Sequence, residues 1–464
     1  MEKNAGFIET KYLVFAQAPE GLLLESGQQF GPITLAYETY GQLNNNRSNA
    51  ILILHALSGD SHVAGYHKGE SKTGWWEPMV GPGKPFDTNH YFVICSNILG
   101  GCRGSTGPSS VNPVTGKPYG LTFPIITVAD MVNCQRFLVE HLGIKKIYAI
   151  AGGSMGGMQV LQWVAAYPEM VQSAIPVATT LRHSAQQIAF DEVGRQAIMS
   201  DPDWSRGDYY GKSVPAKGLA LARMIGHITY MSDASMEEKF GRRHKGLSQN
   251  KVDNLPEAIL ERDKERRSLR TPCGTEAMSD AVAAQNRPGP SGSPIFGSLR
   301  RCSSTMCHSG HRAFVAPCTN LKSGTPNSQL YSATAPNGKE KYSFDFTADF
   351  EVEGYLRYKG DSFVQRFDAN SYLYITKAMD FFDLIADYGR DLFRGIKTKF
   401  LVLSFSSDWL YPPSDSEQIV RVLKRHGAGV TYCEIPSDYG HDAFLVEMEE
   451  QGRLVKNFLD AQRQ

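Results

Sequence analysis

The sequence predicts an α/β fold: a doubly wound, mostly parallel sheet into which a helical cap is inserted. The first ground is a series of short apolar runs bounded by turn residues. Ile51–Leu54 runs into His-Ala-Leu-Ser-Gly, Tyr91–Cys95 into Ser-Asn, and Ile147–Ala151 into Gly152-Gly153. Lys399–Ser404 and Val430–Ile435 repeat the pattern near the C-terminus. Continuous apolar runs of this kind suit strands covered on both faces. The second ground is the helical periods between them. Val128, Met131, Val132, Gln135, Leu138, Val139 and Leu142 step by three and four and stop at Gly143. Met158, Leu161, Gln162, Ala165 and Ala166 do the same before Pro168. Strands alternating with helices imply parallel pairing.

The third ground is where the alternation breaks, from about Asp191 to Asp383. Its flanks, Ala216–Met231 and Asp368–Ile385, read as helices. Its interior does not: residues 271–340 hold 10 Ser, 7 Pro and 7 Gly, too little apolar surface to offset ordering entropy. The expected division is therefore a core segment over 10–185, a helical cap over 186–385 and a second core segment over 386–464. Within the cap, residues 245–340 are expected to be a largely disordered insertion.

Composition excludes several classes. The chain has 464 residues, with 48 Lys plus Arg against 48 Asp plus Glu, so its formal net charge is zero. No global field favours nucleic acid or an anionic membrane. Apolar residues make up 41% and charged residues 21%, a globular balance. Glu2, Lys3, Glu9 and Lys11 interrupt any apolar run of signal-peptide length, and no stretch approaches a membrane span. A cytoplasmic enzyme is the expectation. Cys95, Cys102, Cys134 and Cys433 lie in apolar or strand-like segments and read as small buried hydrophobes. Cys273, Cys302, Cys307 and Cys318 fall in the odd interior and are expected to be free thiols. Cys302, Cys307, His308, His311 and Cys318 carry zinc-ligand chemistry, but their spacing matches no standard zinc arrangement. No metal is expected.

The chemistry centres on Gly152-Gly153-Ser154-Met155-Gly156, which follows a strand and opens a helix. That is the context of the G-x-S-x-G nucleophile elbow, where small neighbours let a serine sit on a sharp turn. Glycine is common here, 44 of 464 residues, so the context carries the argument rather than the letters. A serine hydroxyl needs a base, and the base needs an orienting carboxylate. Chain order in this arrangement is serine, acid, histidine. Asp408 follows the run Lys399–Ser404, and His441 follows Val430–Ile435, both at strand C-termini where open sheets place their sites. Each alone reads as an ordinary loop residue; the ordered set of three does not. An oxyanion hole would take one backbone N–H from Met155 and one from Leu57, in the loop after the first apolar run. A hydrolase and an acyltransferase share this machinery.

Longer stretches narrow the choice. HALSGDSHVAGY (55–66), GWWEPMVGPGKPFDT (74–88), NILGGCRGSTGPSSVNP (97–113) and AGGSMGGMQVLQW (151–163) resemble the homoserine O-acetyltransferase family. So do AFDEVGRQAIMSDPDW (189–204), KGLALARMIGHITYMSD (217–233), RFDANSYLYITKAMD (366–380) and SSDWLYPP (406–413). The resemblance covers about residues 10–244 and 341–460. It implies an α/β-hydrolase fold and a ping-pong transfer of acetyl from acetyl-CoA, a co-substrate, to L-homoserine, with no other cofactor. Ser154 would be acylated, His441 would act as general base and Asp408 would orient it. By the same resemblance Arg223 would take the homoserine carboxylate and Asp442 its ammonium. Tyr230, seven residues beyond Arg223 and on the same helical face, would add a hydrogen bond. A homodimer built through the cap, and a place in methionine synthesis, are implied as well. The alternatives on this scaffold are succinyl transfer, serine as acceptor, or plain serine hydrolysis. Residues 245–340 depart from the family pattern. Trp75-Trp76 reads as core or pocket wall, and GGCRGSTGP as a tight loop, since it lacks the P-loop ending.

Overall fold

A computed structural model describes residues 5–17, 20–244 and 346–463. The chain divides into one unit of Met1–Lys245 with Ala348–Gln464 and a second of Gly246–Thr347. The expected insertion, 245–340, lies outside the described residues, as do Cys273, Cys302, Cys307 and Cys318. The sheet, the cap helices and the site all belong to the first unit.

Eight strands form one sheet: β1 (Lys11–Phe15), β2 (Ile33–Tyr40), β3 (Ala50–Leu54), β4 (Phe92–Ser96), β5 (Ala149–Gly153), β6 (Ser173–Val177), β7 (Lys399–Phe405) and β8 (Val430–Ile435). Their order is β1-β2-β4-β3-β5-β6-β7-β8. Only β2 runs against its neighbours, pairing antiparallel with both β1 and β4. From β4 to β8 every pairing is parallel, for example Leu52 with Ile150 and Leu403 with Cys433. The apolar runs are strands because their alternate residues serve two cores. Leu52, Leu54 and Ile150 enter one core with Met131, Leu138, Met158 and Leu161. Ile51, Ile53 and Ala151 enter the other with Val455 and Leu459. Helices α1 (Val128–His141) and α2 (Met155–Ala166) thus cover one face. A C-terminal helix, Met448–Ala461, covers the other.

The expected strand at Ile147–Ala151 begins two residues later, because Ile147 makes only an isolated bridge to Val171. Val430–Ile435 is the edge strand and is only partly covered, which departs from the two-sided burial expected of it. Cys95 and Cys134 are buried, whereas Cys102 and Cys433 are half-buried, which corrects the expectation for those two.

Between β6 and β7 the chain leaves the sheet. It forms α3 (Ala185–Met199), α4 (Ala216–Tyr230) and α5 (Asp233–Lys239), then α6 (Glu351–Val364) and α7 (Ala369–Asp380). The sequence does not announce α6: it buries only Gly360 and Phe363, too narrow a stripe to read as a helical period. Gly360 is there for contact, since a Cβ on it would lie 3.0 Å from Cβ of Ala220 on α4.

Candidate active site

Ser154 sits between the end of β5 and the first residue of α2, with φ 59° and ψ −126°. A non-glycine residue in this region carries about 1–3 kcal/mol of strain and persists only where its surroundings over-determine it. Here they do. The Ser154 N–H donates to Val177 O at 3.0 Å, and Ser154 O accepts from Gly157 N and from Thr179 Oγ1, each at 2.9 Å. A Cβ on Gly152 would lie 2.6 Å from the backbone of Gly156. The small residues around the serine are thus dictated by backbone packed on backbone.

Asp408 lies three residues beyond β7, and both it and His441 are only 2% exposed. Its Oδ1 accepts from the N–H groups of Leu410 and Tyr411 at 3.0 and 2.9 Å, and its Oδ2 lies 2.7 Å from His441 Nδ1. This geometry puts the imidazole proton on Nδ1 and leaves Nε2 as the acceptor. His441 occupies a 3-10 turn, Gly440–Asp442, after β8. Gly440 has φ +70°, and a Cβ there would lie 2.5 Å from Ser232 N, so the turn presses directly on the cap.

The ring of His441 packs against Tyr230, Tyr411 and Phe444, at centroid distances of 5.9, 5.0 and 5.4 Å. Ser154 lines a small, partly open cavity of about 40 Å³ whose walls include Leu57, Tyr230, Tyr372, Tyr411 and Asp191. Tyr230 and Tyr411 therefore touch both the histidine and the serine's cavity. Phe444 packs on the residue before the serine, since a Cβ on Gly153 would lie 2.5 Å from its ring. No hydrogen bond links Ser154 to His441 among the described residues; such bonds are commonly long without substrate. Leu57 is a cavity wall and Met155 the first residue of α2, so the loop after β3 and the helix N-terminus both border Ser154.

Arg223, on α4, reaches Ser58 Oγ at 3.4 Å, and its guanidinium lies over the rings of Tyr230 and Phe363 at 5.6 and 4.8 Å. Burial raises the Asp442 carboxyl above its ordinary value, against the pull of His441, Arg223, Lys359 and Lys239. Arg223, Asp442 and His441 are not themselves walls of the small cavity. Trp75 and Trp76 stack at 5.3 Å; Trp76 is buried and its Nε1 donates to Phe444 O at 3.1 Å. The pair belongs to the core, one of the two roles its sequence suggests.

Tyr411 and Arg366 lie in stretches that carry the family resemblance, but nothing local marks the roles of these two or of Phe444, because the groups they meet are distant in the chain. Arg366 Nη1 donates to Ser58 O at 2.9 Å across 308 residues. Among the described residues two clusters gather metal-ligand chemistry, Glu38–His62–His67 and His183–Asp191–Asp380. In the first, the carboxylate is already saturated. Glu38 accepts from Thr10 Oγ1, Tyr40 OH, His62 Nδ1 and His67 Nε2 at 2.7–2.9 Å. In the second, Arg195 pairs with Asp380 at 2.7 Å.

A family model described as the alpha/beta hydrolase fold matches residues 49–290. A protein of Methanohalobium evestigatum named homoserine O-acetyltransferase is 46% identical, over 98% of this chain and 74% of its own length. One of the same name from Solidesulfovibrio magneticus is 44% identical, over 98% of this chain and 94% of its own. Among solved structures, homoserine O-acetyltransferase from Bacillus anthracis superposes with a TM-score of 0.71 at 24% identity, covering 98% of each chain. That likeness speaks for the fold.

Proposed function

The chain belongs to the homoserine O-acetyltransferase family, and on that footing we propose that it moves an acetyl group from acetyl-CoA to the side-chain hydroxyl of L-homoserine. Ser154 Oγ attacks the thioester carbonyl while His441 Nε2 takes its proton. Asp408 stabilises the imidazolium, and His441 returns the proton to the departing thiolate of CoA. The acetyl-Ser154 ester then meets the homoserine hydroxyl, deprotonated by the same Nε2. Collapse of the second tetrahedral intermediate frees Ser154 and gives O-acetyl-L-homoserine, an activated precursor for methionine synthesis. Backbone N–H groups of Met155 and Leu57 stabilise both oxyanions; a donor of this kind is worth about 3–4 kcal/mol. The homoserine carboxylate goes to the planar fork of Arg223, the ammonium to Asp442, and Tyr230 borders both.

The observation that carries this reading is the 2.7 Å pairing of His441 Nδ1 with Asp408. It leaves Nε2 as the acceptor of a ring that packs on Tyr230 and Tyr411, both walls of the cavity at Ser154. Acetyl rather than succinyl is favoured by the relatives, which carry the name homoserine O-acetyltransferase. We include in the proposal a cytoplasmic homodimer, on the strength of family membership. No helix among the described residues is long and apolar enough to cross a membrane.

The test is CoA release from acetyl-CoA and from succinyl-CoA, each with and without L-homoserine, with products identified by mass. Release from acetyl-CoA that depends on homoserine and yields O-acetylhomoserine is the expected result. Equal release without homoserine identifies a hydrolase and overturns the proposal.

A further inference from the structure

Arg366 is a partly buried cation with no acid to neutralise it among the described residues. Its guanidinium donates to Ser58 O and lies 5.2 Å from the ring centre of Phe363. Arg223 approaches the same ring at 4.8 Å and the same Ser58 through Oγ. It too forms no ion pair among the described residues. Arg223 has a role in the proposed reaction, the acceptor carboxylate. Arg366 has none, yet a desolvated charge without a counterion is costly.

The local field agrees. Burial lowers Arg366 from its ordinary range, and Arg223 adds to that, with Asp60 opposing. Nearby His227 is brought down to about 3 by burial and then by Arg223, Lys359, Lys239 and Arg366. Four cations therefore act on His227 together.

Arg366 also forms part of the wall of a second, larger cavity of about 430 Å³, a groove open to the surface, with Arg103, Tyr209, Tyr210, Lys212 and Asp368. The acid in that wall is occupied: Asp368 accepts from the hydroxyls of Tyr209 and Tyr210 and from Ser371 N. Lys212 pairs with Asp208 at 2.8 Å, and Arg103 stands 4.0 Å from Asp60. Arg103 comes from the glycine-rich loop that lacks the P-loop ending. That loop contributes to this wall through Cys102 and Arg103. The two cavities adjoin the same loop, since Ser58 contacts Arg366 and its neighbour Leu57 lines the cavity of Ser154.

We propose that the larger cavity receives the phosphate-bearing part of the acyl donor, with Arg366 as its principal phosphate ligand and Arg103 and Lys212 at its rim. A guanidinium fork matches phosphate oxygens, and a charge-assisted pair of this kind is stronger than a neutral one. The inference rests on the thioester-dependent reading of Ser154, and it names what holds the donor's handle.

The experiment compares acetyl-CoA, S-acetyl-4′-phosphopantetheine and S-acetylpantetheine as donors at saturating L-homoserine. The proteins are the full-length wild type, Arg366→Gln and Arg103→Gln. The expected result is a fall of about 10- to 100-fold in the preference of Arg366→Gln for acetyl-CoA over S-acetylpantetheine, expressed in KM. Arg103→Gln shows a smaller fall in the same direction. The intermediate donor assigns the phosphate: a loss shared by both phosphorylated donors puts Arg366 at the phosphate next to pantetheine. A loss for acetyl-CoA alone puts it at the nucleotide phosphates. A preference that stays within about twofold of wild type in both variants overturns the proposal. Uniform loss on all three donors overturns it too, as the mark of a structural role. Should Arg366→Gln fail to fold, Arg103→Gln on its exposed loop decides the matter by the same ratio. Failure of the wild type with every thioester refutes acetyl transfer itself, and with it this inference.

Discussion

Gly156 rides so close to the end of β3 that a Cβ on it would lie 2.1 Å from the carbonyl oxygen of Leu54. The elbow bearing Ser154 is thus wedged against the neighbouring strand, and its strain is held by that contact. Gly156→Ala is expected to cost about 1–3 kcal/mol through overpacking and to cut acylation far more than its stability loss explains. Urea unfolding measured beside the burst of CoA release checks this. A variant with full stability and full burst refutes the wedge.

Asp408→Asn keeps the shape of the pair with His441 but lets the imidazole take the wrong tautomer. By analogy with other triads the turnover number should fall on the order of 10⁴-fold, with little change in the KM for L-homoserine. Steady-state kinetics decide it, and a fall of less than about tenfold removes Asp408 from the proposed role.

Asp442→Asn removes the charge proposed for the substrate ammonium while leaving Ser154 and the Asp408–His441 pair intact. The homoserine-dependent step should weaken by about 10- to 100-fold, the range for losing a charge-assisted hydrogen bond. The first burst of CoA stays near wild type. Stopped-flow separation of the two half-reactions reads this, and equal losses in both contradict the assignment.

Glu38 supplies a pH dependence of stability away from the site. Burial alone would raise its carboxyl, but hydrogen bonds from His62, Tyr40 and His67 outweigh that and bring it from 4.5 to about 2. A depressed carboxyl stabilises the fold above its unfolded value and loses that contribution as pH falls through 4.5 toward 2. The difference in unfolding free energy between wild type and Glu38→Gln should therefore shrink by about 3 kcal/mol over that interval. Denaturant titrations across the range test it; a constant difference contradicts the saturated carboxylate.

Much of the candidate site is legible in the sequence because it is written locally. A strand, two glycines and a serine opening a helix define an elbow within a dozen residues, and chain order then points to Asp408 and His441. Five strands of the sheet are legible from apolar runs, Val430–Ile435 among them although its edge position leaves it half open, whereas β1, β2 and β6 are not picked out. What escapes depends on contacts made only after folding. Arg366 meets Ser58 across 308 positions, and Tyr411 matters through its ring against His441. Helix α6 escapes because its two glycines and single buried phenylalanine give no period. The Glu38–His62–His67 cluster escapes because β2 and the loop after β3 become neighbours only in the folded chain.

Every step proposed for this site turns on Ser154 carrying the acetyl group between donor and acceptor. The decisive measurement is the intact and peptide mass of the protein after brief mixing with acetyl-CoA in the absence of L-homoserine. One acetyl group is expected on the peptide containing Ser154, discharged on adding L-homoserine with formation of O-acetylhomoserine, and absent from Ser154→Ala. Homoserine-dependent turnover by Ser154→Ala, or an acetyl group lodged elsewhere and discharged at the same rate, would contradict it.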